Sequence, residues 1–368
     1  KKIGIERLHM EEDAGKLVHS GSDRLAGSKY SLVDYNRAGI ALCEIVSKPD
    51  IRSGKEASEY ASEIRRTVRY LGVSDGNMQE GSLRCDVNIS VRKGPNAPFG
   101  TKVEIKNMNS FSAIQKACDY EIARQIEVYE NGGKIFQETR LWDEAKQLTK
   151  SMRLKEGSSD YRYFPDPDLG PIEITKAQQE IWFKELPELP SKKRNKYVSQ
   201  FGLSAYDARV ISDEISMANF FEETVAKGAE AKLASNWVTS DIVGYLKANK
   251  LSFSDLKLSP ENLAEMISMI SKNIISGKIA KEILPELIQK NISPKKLVEE
   301  KGLAMISDSS SILPIIDELI TEHPDEVQAF RNGKTKLLGF FVGQLMKRTK
   351  GKADPKLANK LLAEKLNS

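Results

Sequence analysis

Ser82-Leu83-Arg84-Cys85-Asp86-Val87-Asn88-Ile89-Ser90-Val91-Arg92 alternates without a break. Leu83, Cys85, Val87, Ile89 and Val91 point one way, and Arg84, Asp86, Asn88, Ser90 and Arg92 the other, which is the period of a strand. After a Gly/Pro loop, Lys102-Val103-Glu104-Ile105-Lys106-Asn107 alternates again. An antiparallel hairpin of the two would set Lys102, Glu104 and Lys106 beside the first strand's polar face. Alternation alone fits a solvated sheet face. The content of this face, with Arg, Asp, Asn, Glu and Lys together, is the mixture of cations, donors and acceptors that phosphate and metal chemistry requires.

Around this pair the text is mixed. Ser53-Gly54-Lys55-Glu56 is a capping box opening a helix that carries Tyr60, Ala61, Ile64, Val68 and Leu71 and stops at Gly72. A second helix, from about Ser112 to Glu130, turns Ile114, Ala117, Ile122 and Ile126 inward and ends at Gly132-Gly133. Tyr161 to Pro171, rich in Pro, Asp and Gly, reads as an irregular ordered loop. Strands and helices mixed in this way predict an α+β domain over 1–175. Beyond Thr175 strand text almost vanishes, and Pro187, Pro190, Pro260, Pro285, Pro294, Pro314 and Pro324 punctuate helical segments. The expected divisions are an all-helical domain over 176–293 and a helical tail over 294–368, where the charge turns basic.

Gly39 to Val46 is an apolar strand interrupted by Glu44, and a buried carboxylate needs a partner. An ion pair with Arg37 is one solution; a hard divalent cation such as Mg²⁺ is the other, with a second carboxylate from Glu11-Glu12-Asp13. G-x-S-x-G, G-x-x-x-x-G-K-[ST] and G-x-G-x-x-G are all missing, so any nucleotide is held by another architecture.

With 368 residues the chain exceeds one ordinary hydrophobic core, and no apolar run approaches the roughly 20 residues of a membrane span. Cys43, Cys85 and Cys118 are scattered and odd in number, which fits neither a disulfide framework nor a zinc site and suits a reducing, cytoplasmic compartment. The chain opens at Lys1 directly in strand-like text, as expected of a fragment. A net charge of +4 hides an asymmetry: Arg331 to Ser368 holds ten Lys or Arg against two acidic residues. Lys347, Arg348, Lys350 and Lys352 form a cluster suited to a phosphate backbone.

Four segments carry a family resemblance: Arg7 to Lys16, Glu80 to Asn88, Lys106 to Phe111 and Asp160 to Leu169. Together they resemble, in order, the signature segments of the GatB/GatE family, the B subunits of tRNA-dependent amidotransferases. The similarity continues through Ala205 to Arg209 and Ser235-Asn236-Trp237 into Gly339 to Gln344, which looks like a YqeY-type module. The resemblance implies a first domain with the cradle fold shared by glutamine synthetase and guanidino kinases. It further implies ATP-dependent phosphorylation of the side-chain carboxylate of Glu on tRNA(Gln) or Asp on tRNA(Asn), followed by amidation with ammonia from a glutaminase, the A subunit of the heterotrimer. The C subunit and aminoacyl-tRNA are implied partners, with the cognate aminoacyl-tRNA synthetase as a further one. Metal-binding carboxylates, for Mg²⁺, map onto Glu12 and Glu44. Arg84, Asp86, Asn88, Glu104 and Lys106, on one strand face, are expected to line the catalytic surface, and Arg7, Glu80, Asn107 and Asn109, within the matched motifs, to contact the nucleotide. Two other readings are the archaeal glutamyl-specific relative, whose extra inserted domain finds no room near residue 175, and a non-catalytic RNA-binding helical protein.

Overall fold

The computed structural model describes residues 1–20, 29–154, 167, 168, 170–305, 309–349 and 351–367. The Asp160 to Leu169 motif and the expected loop at Tyr161 to Pro171 lie largely outside these residues, as does Lys350. Two compact units divide the chain, Lys1–Glu180 and Ile181–Ser368.

The first unit is α+β, with mixed sheets and helices as the sequence predicts. Strands β1 (Ile5–Glu12) and β4 (Ala41–Ser47) pair antiparallel, β2 (Lys16–His19) pairs with β3 (Ser31–Asp34), and β5 (Val87–Ile89), β6 (Val103–Lys106), β7 (Glu138–Asp143) and β8 (Leu148–Leu154) form a four-stranded sheet in that order. β6 and β7 run parallel, and the crossover between them is filled by a helix. Helix α1 (Gly54–Tyr70) starts where its cap demands: the Ser53 hydroxyl accepts from the Glu56 amide at 3.2 Å. It ends with Gly72 in the left-handed region (φ +67°) and the Val73 amide bonded back to the Val68 carbonyl.

Helix α2 (Phe111–Glu130), capped by Ser110, buries Ile114, Ala117 and Cys118 against Ile89, Ile105 and Trp142 of the sheet. Its inner stripe differs from the expected one. Ile126 is 39% exposed, whereas Glu121 and Gln125 are fully buried.

The strand expected over Ser82 to Arg92 shrinks to Val87–Ile89. The Ser82 and Leu83 amides both bond to the Asn77 carbonyl instead of entering a ladder, so the residues before Val87 form a turn. Alternating exposure nevertheless persists from Ser82 to Ile89. Pairing of β5 with β6 is antiparallel, with Asn88 opposite Glu104.

Among the described residues every element beyond Thr175 is helical. Pro190, Pro260, Pro294 and Pro324 occupy first turns, but Pro285 and Pro314 lie inside Gly277–Lys290 and Ser309–Glu322 rather than ending them. Two cores result. One gathers Phe221, Val238, Leu263, Ile267 and Leu287, and the other Ile316, Phe341, Leu345 and Leu362. The helix Pro294–Glu300, assigned to the tail by its charge, inserts Leu297 and Val298 into the first of these. Burial, not charge, decides where it belongs. Among the described residues no helix is long and apolar enough to cross a membrane.

Candidate active site

The four-stranded sheet presents α2 on one face and polar side chains on the other. Val103 and Ile105 of β6 point to the core and are fully buried, so Glu104 and Lys106 must point away from it. The Lys106 ammonium lies 2.9 Å from Asp86 Oδ2 and 3.8 Å from Glu104 Oε1. Asn88, opposite Glu104, shares their side of the sheet. The structure therefore brings Asp86, Asn88, Glu104 and Lys106 onto one face: one cation, two carboxylates and an amide.

Arg84 stands apart from this group. Its guanidinium donates to Asp13 Oδ2 at 3.4 Å, and Arg37 approaches the same oxygen at 3.2 Å. Arg37 also donates to the Gly81 carbonyl, at 3.3 Å from both terminal nitrogens. Asp13 thus ties the turn before β5 to the end of β1.

Of the expected nucleotide contacts, Asn107 has a positive φ of 69° and its side-chain amide donates to the Trp142 carbonyl at 3.3 Å. In this position it shapes the exit from β6 and joins it to β7. Asn109 lines a cavity of about 430 Å³ together with Arg65, Arg69, Asp75 and Gln79. Glu80 is exposed in the loop before β5, its amide bonded to the Asn77 side chain.

Arg7 lies beside an expected metal ligand: its guanidinium donates to Glu44 Oε2 at 3.3 Å. Glu44 thus pairs with Arg7, not with Arg37, which approaches Asp13 instead. The burial premise also fails, since Glu44 is 47% exposed in a two-stranded ribbon whose other face leaves Leu8 and Met10 exposed as well.

Glu12 and Glu44 do not converge. In the β1–β4 register His9 faces Glu44 and Glu12 faces Ala41, so alternation sends Glu12 to the face opposite Glu44. The groups that meet are His9, Glu11 and Glu44, whose ligand atoms lie within 4.8 Å of one another. Counting acidic residues in a triplet could not tell Glu11 from Glu12; pairing parity does.

Cys85, next to Asp86, is mostly enclosed: burial, and then the neighbouring carboxylate, push its thiol up to about 11. Burial pushes Cys118 up to about 12. Neither supplies a thiolate nucleophile at neutral pH.

Lys347, on the helix Leu337–Arg348, is exposed, and Lys352, in the connection to the helix Pro355–Asn367, is half-buried. Arg348, by contrast, is claimed within the fold, by Glu318 at 3.0 Å and by Glu322.

Thr139 belongs to the site without any signal in the sequence. It lies on β7 directly opposite Glu104, almost without solvent contact, and donates to the Glu104 carboxylate at 2.7 Å. No local pattern marks it, because its partner lies on a strand brought alongside by the crossover.

Known proteins match the chain along its whole length. Residues 1–180 match the GatB/GatE catalytic domain, and residues 219–366 the GatB domain. The B subunit of the aspartyl/glutamyl-tRNA(Asn/Gln) amidotransferase of Prochlorococcus marinus (strain AS9601) is 97% identical over all of the chain and 75% of its own length. Its counterparts in Prochlorococcus marinus (strain MIT 9312) and Synechococcus sp. (strain CC9605) are 95% and 71% identical, with 75% and 74% of their lengths covered. At this identity, and with both domains matched, the chain belongs to the GatB/GatE family.

Proposed function

We propose that the polar face of the four-stranded sheet is where the side-chain carboxylate of Glu-tRNA(Gln) or Asp-tRNA(Asn) is activated by ATP and then amidated. The ammonia would come from glutamine hydrolysed in a partner glutaminase, the A subunit, with the C subunit as the third component. The relatives' shared name, with its two tRNA substrates, supports this reading, as does their designation as one subunit of a larger enzyme. The observation that carries it is the Lys106 ammonium set between Asp86 and Glu104 on an open face.

A carboxylate is a poor electrophile, and an acyl phosphate is a reactive one. Forming it brings negative charge from the phosphoryl group against a carboxylate, so a fixed cation is needed where the two meet. Lys106 is that cation. Asp86 and Glu104 hold it by charge-assisted contacts, and Asn88 offers an amide donor beside it. Mg²⁺, when bound, neutralises phosphate charge. Glu44 and Glu11 offer it oxygens from one face, with Arg7 next to them as a phosphate partner. The cradle lineage shared with glutamine synthetase and guanidino kinases is part of the same proposal.

The test uses the full-length protein in the complete amidotransferase. Lys106→Ala should lower ATP-dependent amidation by about a hundredfold or more, while glutamine hydrolysis stays measurable. Glu44→Gln should raise the Mg²⁺ concentration needed for half-maximal rate. Full amidation in Lys106→Ala would sink the assignment of Lys106, whereas equal loss of glutaminase and amidation would point to a broken assembly.

A further inference from the structure

We propose that Thr139 is a positioning residue for this chemistry: its hydroxyl fixes the orientation of the Glu104 carboxylate, and through it the Lys106 ammonium. The inference rests on the reading of the Asp86–Glu104–Lys106 face given above.

The two oxygens of Glu104 have different tasks. Oε2 accepts from Thr139 Oγ1 at 2.7 Å, while Oε1 faces Lys106 Nζ at 3.8 Å. The last torsion of a glutamate is broad and roughly two-fold, so an unanchored carboxylate would turn freely about it. A donor fixed to one oxygen removes that freedom and leaves the other aimed at the lysine.

Thr139 is suited to hold still. It is 1% exposed, so its hydroxyl must be satisfied inside the protein, and a branched Cβ restricts its own rotation. The parallel β6–β7 register sets Thr139 directly against Glu104, so their separation is fixed by backbone pairing and not by a long flexible side chain.

The strand beneath is pinned from its other face. Arg140 reaches Glu138 at 2.6 Å, the Thr149 hydroxyl and carbonyl at 2.8 Å each, and the fully buried Glu121 at 3.6 Å. β7 is thus locked on the helix side by ions and presents a single hydroxyl on the site side. Thr139 touches no reacting atom; it acts through Glu104.

The experiment compares Thr139→Val, Thr139→Ala and Thr139→Ser in the full-length protein assembled into the complete amidotransferase, with aminoacyl-tRNA, ATP and glutamine. A hydrogen bond to a charged group is strong enough that Val and Ala should lower kcat for amidation about ten- to a hundredfold. The KM for aminoacyl-tRNA and the glutaminase rate should stay within about twofold, and Ser, which keeps the hydroxyl, should retain kcat within about threefold. A packing role would instead show as a lower melting temperature, shared by Ser and Ala, with kcat per folded molecule preserved. Should the Val variant not fold, Ala against Ser makes the same comparison. Wild-type kcat in Val or Ala, or a loss in Ser equal to theirs, overturns the inference while leaving Lys106→Ala to judge the face itself. If Lys106→Ala keeps full kcat, the reading of the face falls, and this inference with it.

Discussion

Glu121 is a carboxylate with no solvent contact, held between α2 and the sheet by donors from three directions. Arg124 forks onto both its oxygens at 2.9 and 2.6 Å, Gln125 donates at 2.9 Å, and the Thr149 hydroxyl donates at 2.9 Å from β8. With donors on both oxygens, the charge is tolerable there. Removing it is a different matter, because Arg140 would remain nearly buried with part of its compensation gone. Glu121→Leu should destabilise the folded protein by about 3 kcal/mol, read as a lower urea midpoint at unchanged slope. The sequence concealed this residue. An apolar stripe drawn through Ile114, Ala117, Ile122 and Ile126 leaves Glu121 outside, and what draws it in is Thr149, 28 positions later, together with Arg140 from β7. Side chains satisfied by distant strands leave no local signature, and Thr139 was invisible for the same reason.

Elements with local signals were legible. Ser53 and Ser110 cap helices near the starts that the pattern predicts, and Gly72 closes the first of them. Alternation marks the strand through Val87 but not its length, since it cannot reveal that the Asn77 carbonyl captures the amides of Ser82 and Leu83. The expected pairing of Glu12 with Glu44 turns on parity: Glu11 and Glu12 are neighbours in sequence and lie on opposite faces of the β1–β4 ribbon, and Glu11 is the one that shares a face with Glu44. Helix α3 (Lys176–Glu185) presents a different case, because it buries none of its residues and leaves Ile181, Trp182 and Phe183 exposed. A helix of ten residues without packing is marginal in water. Its amides should exchange with deuterium about a hundredfold or more faster than those of Pro260–Ser271, which buries Leu263, Met266 and Ile267. Comparable protection of the two helices would show that α3 is held by contacts these units do not supply.

At the scale of the molecule, charge and folding unit part company. The stretch from Arg331 carries a surplus of eight cations, yet its core is shared with Ser309–Glu322, and over residues 309–368 ten Lys and Arg meet seven Asp and Glu. Arg348 is taken by Glu318 and Glu322, and Lys365 by Asp317 at 2.7 Å. A linear count of charge therefore overstates what is open to an RNA backbone. We propose Lys347 and Lys352, with Lys350 between them in sequence, as the residues that contact the tRNA body. Deleting 309–368, a cut that spares Leu297 and Val298 in the neighbouring core, should raise the KM for aminoacyl-tRNA and flatten the salt dependence of binding. Each lost phosphate contact lowers that slope by roughly 0.7 to 0.9. Lys347→Ala should show a loss of about one such step and Arg348→Ala less. An unchanged affinity and slope after the deletion would mean that the basic helices serve solubility alone.

The β6–β7 pair also sets an order in time. Glu104 and Thr139 meet across 35 positions, in a parallel pairing that no tight turn can close, while the helix between them is stitched by bonds four residues apart. Closing so long a loop comes after local structure in a folding chain, because its entropy must be lost before the pairing offers any return. The arrangement that aims Glu104 at Lys106 is thus acquired after the local helices, and a refolding molecule can regain α1 and α2 while the face proposed to activate a carboxylate is still unformed.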